Sequence, residues 1–79
     1  MWFTYIIECK DKTLYTGITK DIKRRFLEHK NKKGAKYTLS HQVDRVVYSE
    51  SYTSRSGALK RESEIKKWPK KKKAGLFKS

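Results

Sequence analysis

Trp2-Phe3-Thr4-Tyr5-Ile6-Ile7-Glu8-Cys9-Lys10-Asp11-Lys12-Thr13-Leu14-Tyr15-Thr16-Gly17-Ile18-Thr19 opens the chain with two runs of aromatic and β-branched residues. Residues 2–9 and 14–19 read as strands, and polar 10–13, with Asp11 suited to a turn, separates them. Strands this close in sequence pair as an antiparallel hairpin. Side chains alternate between faces along each strand, and directly paired residues share a face. Tyr5 and Tyr15 are both odd-numbered, so they reach one face only if paired residue numbers sum to an even value. A regular two-residue turn at Asp11-Lys12 gives an odd sum and parts them. An odd connection, such as three residues, or a bulge is therefore expected.

Beyond Thr19 the hydrophobic period changes. Thr19 is a candidate N-cap, and Asp21 suits the positive end of a helix. Ile22, Phe26 and Lys30 follow at four-residue spacing with Leu27 beside Phe26, a pattern for one amphipathic helix ending within 31–34. Residues 35–42 read as a loop and 43–50 as a third strand centred on Val46, Val47 and Tyr48. Thr53 or Ser54 caps a second helix running to about Trp68, where Pro69 disfavours its continuation. A basic tail, about 69–79, ends the chain. The order strand, strand, helix, strand, helix predicts an α+β fold, a three-stranded antiparallel sheet flanked by helices, as a single domain spanning 1–79. Trp2, Phe3, Tyr5, Phe26, Tyr48 and Trp68 are the expected anchors of a modest core.

The charge balance points to the partner. There are 21 Lys and Arg against 8 Asp and Glu, a net charge of +13, which implies a polyanion: neutralising phosphates releases counterions and gives salt-sensitive affinity. A nucleic acid is the expected partner, over a merely solubilising surface or a basic tail drawn to acidic membranes; neither a membrane nor an obligate protein partner is expected. Lys30, Lys32, Lys33 and Lys36 follow the first helix, and Lys60, Arg61, Lys66, Lys67 and Lys70 to Lys73 belong to the second helix and tail. Together they are candidates for both sides of a phosphate track. The lone Cys9 cannot form an internal disulfide and reads as an inert buried thiol. No run is long enough to span a membrane, and the first residues lack the pattern of a signal peptide, so a cytoplasmic location is expected.

Three groups of side chains carry candidate chemistry. On the second helix, with Ala58 as reference, Ile65 lies at about −20°, Trp68 at about −80° and Glu62 at about +40°. Glu62 thus sits in the apolar stripe, where a carboxylate is costly unless it is paired or binds a metal; a buried ion pair with an arginine of the first helix is the alternative. Arg25 and His29 share a face of the first helix, one suited to stabilising phosphoryl charge and the other to moving protons. Tyr5 and Tyr15 are either strand aromatics or phenols whose pKa nearby cations lower. His41 has no assigned role.

Phe3-Thr4-Tyr5 followed by Tyr15-Thr16-Gly17 resembles the paired motif of the GIY-YIG nuclease superfamily. Residues 19–29, Gly34-Ala35-Lys36-Tyr37-Thr38 and residues 58–66 further resemble its small stand-alone bacterial members, the UPF0213 family. The resemblance implies a three-stranded sheet flanked by helices and phosphodiester hydrolysis with one divalent ion, Mg²⁺ or Mn²⁺. It assigns catalytic roles to Tyr5, Tyr15, Arg25, His29 and Glu62, with Glu62 the metal ligand, and leaves open which tyrosine is the base. Gly17 takes the motif's final glycine, where a side chain would crowd the catalytic surface. The expected nucleic-acid contacts are Gly17, Lys32, Lys33, Lys36, Tyr37, Lys66 and Lys67. The first motif keeps only its tyrosine, Thr16 replaces an isoleucine, and no asparagine follows Asn31. The expected function is structure-selective DNA cleavage; the alternative is a catalytically weak or inactive DNA- or RNA-binding module.

Overall fold

A computed structural model describes residues 1–31 and 41–78. Strands β1 (Trp2–Cys9), β2 (Leu14–Thr19) and β3 (Val43–Tyr52) form one antiparallel sheet in the order β2-β1-β3. Helix α1 (Ile22–Lys30) follows β2, helix α2 (Arg55–Lys66) follows β3, and a short helix α3 (Lys70–Ala74) lies in the tail. The fold is the α+β arrangement expected from the sequence. β3 runs two residues further than its central valines indicate.

The hairpin is the odd-length one that parity requires. Tyr5 pairs with Gly17 and Ile7 with Tyr15, so both tyrosines share a face. Cys9 N–H donates to the Thr13 carbonyl at 2.9 Å, leaving a three-residue loop, Lys10-Asp11-Lys12. Its last residue, Lys12, takes the left-handed conformation at φ 71°, which this loop type uses to close onto a right-twisted ladder. Asp11 holds the loop from within. Its Oδ1 accepts from Thr13 N–H (3.1 Å) and Oγ1 (2.6 Å), and its Oδ2 lies 2.7 Å from His41 Nδ1. The Thr13 bonds, followed by His41, hold the Asp11 carboxyl at about 2.

The two faces of the sheet carry different helices. On the odd-numbered face, Tyr5, Ile7, Cys9 and Val43 form a buried cluster, with Tyr15, Phe26 of α1 and Val46 packed against it. Val43 and Val46 are three apart, which a regular strand would send to opposite faces. Two register shifts in the β1–β3 pairing reconcile them: Ile7 pairs with Val46, and Cys9 with Val43. On the other face lies α2. Thr4 Oγ1 donates to the Ala58 carbonyl (2.8 Å), and Arg61 Nε donates to Glu50 Oε1 (3.0 Å). Tyr48 and Tyr52 hydroxyls also donate to Glu50. Burial would push the Glu50 carboxyl up, but these donors and Arg61 together hold it below its ordinary value. Cys9 is buried, and burial pushes its thiol up, consistent with an inert side chain. No helix among the described residues is long and apolar enough to cross a membrane.

Three local expectations differ from the structure. Asp21, not Thr19, caps α1, accepting from Arg24 N–H at 3.0 Å. Thr19 instead accepts from Asp21 N–H at 3.1 Å, bracing the cap. Ser54, one of the two expected caps, caps α2, but the helix ends at Lys66, with Lys67 and Trp68 in a closing turn before Pro69. Of the six aromatic anchors only Tyr5 is fully buried; the volume between the layers is filled by Ile6, Ile7, Ala58 and Ile65. Trp2 and Trp68 are half-buried at the rim, where their polarisable faces take cations. Lys20 and Arg55 lie over Trp2, and Arg61 and Lys72 over Trp68.

Thr16 sits on the α2 face with its hydroxyl buried and, among the described residues, without a hydrogen-bond partner. An orphaned buried hydroxyl costs about 1–3 kcal/mol. Thr16→Val keeps the shape and removes the orphan, so it is expected to raise stability by about 1 kcal/mol, read as a higher midpoint in urea with unchanged slope.

Candidate active site

The site begins at the Tyr5–Gly17 pair in the middle of the hairpin. Tyr5 is 2% exposed, and its ring lies across Gly17. A methyl group at Gly17 would stand 2.6 Å from the Tyr5 hydroxyl oxygen and 3.1 Å from Cε2 of Tyr15. Only glycine leaves room for both rings. Gly17, expected among the nucleic-acid contacts, is itself buried, and its lack of a side chain seats the two phenols.

Helix α1 delivers two side chains to this seat. His29, 1% exposed, places Nε2 2.9 Å from the Tyr5 hydroxyl. The His29 ring also meets Tyr15 edge-on, with centroids 5.0 Å apart. Arg25, one turn earlier, donates from Nη1 to Glu28 Oε1 at 2.9 Å, and its guanidinium also bears on the Tyr5 hydroxyl. The Glu28 bond first, then the Tyr5 contact, raises its pKa, so Arg25 is a permanent cation here. Tyr15 is only half-buried and closes the cluster on the accessible side.

Glu62 arrives from the other layer. Its neighbour Arg61 is drawn toward β3 by Glu50, and the buried stripe of Ala58 and Ile65 runs between the two positions on α2. Glu62 therefore leaves the stripe on the opposite flank, toward β2, the edge strand that carries Tyr15 and Gly17. Its negative charge is felt at the Tyr5 phenol, although it is the smallest of the influences there. The Glu62 side chain is 16% exposed, and its carboxylate pairs with Lys66 Nζ at 3.3 Å along the helix. The expected alternative, an ion pair with an arginine of α1, does not occur among the described residues: Arg24 and Arg25 both pair with Glu28. An i,i+4 pair with one exposed partner contributes only about 0.3–0.5 kcal/mol, so Lys66 is a loose companion.

Burial sets the protonation states. It pushes the Tyr5 phenol up to about 12, with Tyr15 adding to the rise and Arg25 opposing it. It pushes the His29 imidazole down to about 4, with the Arg25 charge acting the same way. Both are neutral near pH 7, so across the 2.9 Å contact one group donates and the other accepts.

The basic residues divide. Arg61 was expected on the phosphate track, but Glu50 and Trp68 hold it. Lys72 lies on Trp68. Lys66, beside Glu62, and Lys67 are exposed, as are Lys60, Lys70 and Lys71. Lys32, Lys33, Lys36 and Tyr37 lie outside the described residues. The sequence reading assigned nothing to Glu28, Glu50 or His41; the acid three residues after Arg25 was a legible signal for Glu28, whereas the other two find their partners only in the folded chain.

Gly17→Ala forces Tyr5 aside and is expected to lower stability by about 1–3 kcal/mol while breaking the Tyr5–His29 contact, visible as a shift of the His29 ring resonances. Unmoved resonances would contradict the seat. His29 titrates at 6.5 when unperturbed and at about 4 in the fold, so the stability gained from holding it neutral is complete above pH 6.5 and is lost as pH falls through 4. Between pH 6.5 and 4.5, the melting temperature of His29→Gln is expected to fall less steeply than that of the parent. Parallel curves would contradict a buried neutral imidazole.

Residues 1–74 match the model of the GIY-YIG catalytic domain. The UPF0213 protein of Staphylococcus epidermidis is 49% identical over 75 residues, covering 95% of this chain and 92% of the relative. A UPF0213 protein of Haloquadratum walsbyi is 46% identical over 74 residues, covering 94% and 83%. The solution structure of a UPF0213 protein from Bacillus halodurans superimposes with a TM-score of 0.59 at 40% identity, covering 96% of this chain and 82% of that one. Motif, sheet order and kinship agree: this chain belongs to the GIY-YIG family, among its UPF0213 members.

Proposed function

We propose that the protein is a metal-dependent endonuclease that hydrolyses phosphodiester bonds in DNA, selecting structure over sequence. The observation that carries this reading is the meeting of Tyr5, Tyr15, His29 and Arg25 over Gly17, with the charge of Glu62 felt at the same phenol. The net charge of +13 supplies the affinity for a polyanion.

Among the described residues no group of three His, Cys, Asp or Glu is placed to hold a metal ion. The donor set therefore does not suit a cage. It suits a mostly hydrated Mg²⁺ or Mn²⁺ ion held by Glu62, since Mg²⁺ is commonly bound by one or two carboxylates together with substrate phosphate. When bound, such an ion supplies Lewis-acid polarisation of the phosphate and stabilises the leaving oxygen.

The side chains divide the remaining work. Arg25 is permanently charged, and only part of its five-donor fork is occupied by Glu28 and Tyr5, so it offsets charge growing on the phosphoryl oxygens. The two phenols, equivalent in the motif, are not equivalent in their surroundings. Tyr5 stays protonated, because burial pushes it to about 12; with His29 it braces the cluster and orients Arg25. Tyr15, half-buried and nearer to solvent, is the better placed of the two to meet the attacking water and accept its proton. The phosphorus–oxygen bond to the leaving strand breaks as the water oxygen bonds to phosphorus.

A cleavage panel of single-stranded, duplex, flapped and RNA substrates in Mg²⁺ or Mn²⁺ tests this. The parent is expected to cut DNA, with flapped duplex favoured, and to lose cutting in EDTA. Glu62→Ala is expected to abolish cleavage while binding stays equal or tightens, because a negative charge near the phosphate is removed. Arg25→Ala is expected to lower kcat by about 10²–10³-fold, more than it weakens binding. Cutting by Glu62→Ala at the parental rate would overturn the assignment, and binding without cutting by the parent would leave a binding module.

A further inference from the structure

We infer that Lys66 is a displaceable counter-cation for Glu62: it neutralises the carboxylate in the metal-free protein and must give way when a divalent ion binds, so it weakens the affinity of the metal site. This rests on the reading of Glu62 as the metal-holding residue.

The two ends of the ion pair differ in how firmly they are held. The Glu62 side chain, 16% exposed, is fixed on the flank of the stripe that α2 buries against the sheet. The Lys66 side chain is 52% exposed and reaches Oε2 of Glu62 at 3.3 Å from the solvent side. A carboxylate withdrawn from water needs a compensating charge. The sequence neighbour of Glu62, Arg61, is committed to Glu50 by three contacts of 3.0 to 3.3 Å and to the Trp68 ring. Among the described residues Lys66 is the cation that pairs with Glu62, and its form suits a temporary role. An ammonium is a compact point charge on a flexible stem with no fork geometry to lock it in place. Glu62 would gain twice the charge from a divalent ion, and the Lys66 ammonium, exposed and held by one contact among the described residues, is free to swing toward solvent when Glu62 takes one.

Metal binding therefore involves an exchange of cations: the carboxylate releases Lys66 as it takes the divalent ion. An ion on Glu62 also lies within one helical turn of a positive charge that opposes it. Removing that charge tightens metal binding, whereas removing a charge that does not touch Glu62 has a smaller effect.

The test is Mn²⁺ binding to the full chain without nucleic acid, followed at low ionic strength by calorimetry and by loss of the free-ion electron paramagnetic signal. Parent, Lys66→Gln, Lys67→Gln and Glu62→Gln are compared, each first shown folded by circular dichroism. Lys66→Gln is expected to bind Mn²⁺ about threefold to tenfold more tightly than the parent. Lys67→Gln removes the same charge from the next residue, which is exposed and makes no ion pair with Glu62, and is expected to change affinity by clearly less. Glu62→Gln is expected to lose the site. Equal affinities for the two lysine variants, or weaker binding by Lys66→Gln, would overturn the inference and leave Glu62 as the ligand. Unchanged binding by Glu62→Gln would instead remove Glu62 as the ligand, and the role of Lys66 with it.

Discussion

The buried contact between the Tyr5 hydroxyl and His29 Nε2 ties the hairpin to α1, and the rest of the site is arranged around it. It spans 24 positions in sequence and is enclosed on both sides. A polar pair in such a place must be complementary, because neither group has water to turn to. The contact requires that a ring lie flat over the neighbouring strand, which requires Gly17 beneath it. It also fixes the rotation of α1, and that rotation puts Arg25 one turn back beside the same phenol. Burial then makes Tyr5 a persistent proton carrier and His29 a persistent neutral base, so the pair keeps its character across the physiological pH range.

The second layer depends on a different polar group. Glu50 gathers Tyr48, Tyr52 and Arg61 into one cluster under α2. Arg61 and Glu62 are adjacent, about 100° apart on the helix, so holding one toward β3 turns the other toward β2. The carboxylate that the proposed chemistry needs is thus aimed by a charge pair on the far side of its own helix. In the hydrogen bonds of the described residues, His29 and Arg25 belong to one network and Arg61 and Glu50 to the other.

The positive charge is not uniformly available to a ligand. Arg25, Arg45 and Arg61 are anchored on Glu28, Glu8 and Glu50, while Lys20, Arg55 and Lys72 lie on tryptophan faces at the rim. Most of the anchored cations are arginines, whose rigid fork holds a carboxylate, while flexible lysines make up much of the exposed remainder. A chain that buries little apolar surface uses part of its charge to fasten its elements and leaves the rest exposed to solvent.

By itself the sequence determined the element order, the α+β class, the odd-length turn that Tyr5 and Tyr15 need if they are to share a face, the inward Glu62 and the strongly basic net charge. Each follows from local periodicity, strand parity or summed charge, which do not depend on what packs where. Motif spacing placed Arg25 and His29 on one helix face for the same reason. Tertiary structure decided which aromatics form the core, because Trp2 and Trp68 are large and polarisable enough to serve at a cationic rim while isoleucines fill a thin interior. It decided that Asp21 outcompetes Thr19 as a cap, and that two register shifts bring Val43 and Val46 to one face. It also distinguished the two motif tyrosines, since burial is a property of the packed layers: one phenol is sealed against His29 and the other is left nearer to water.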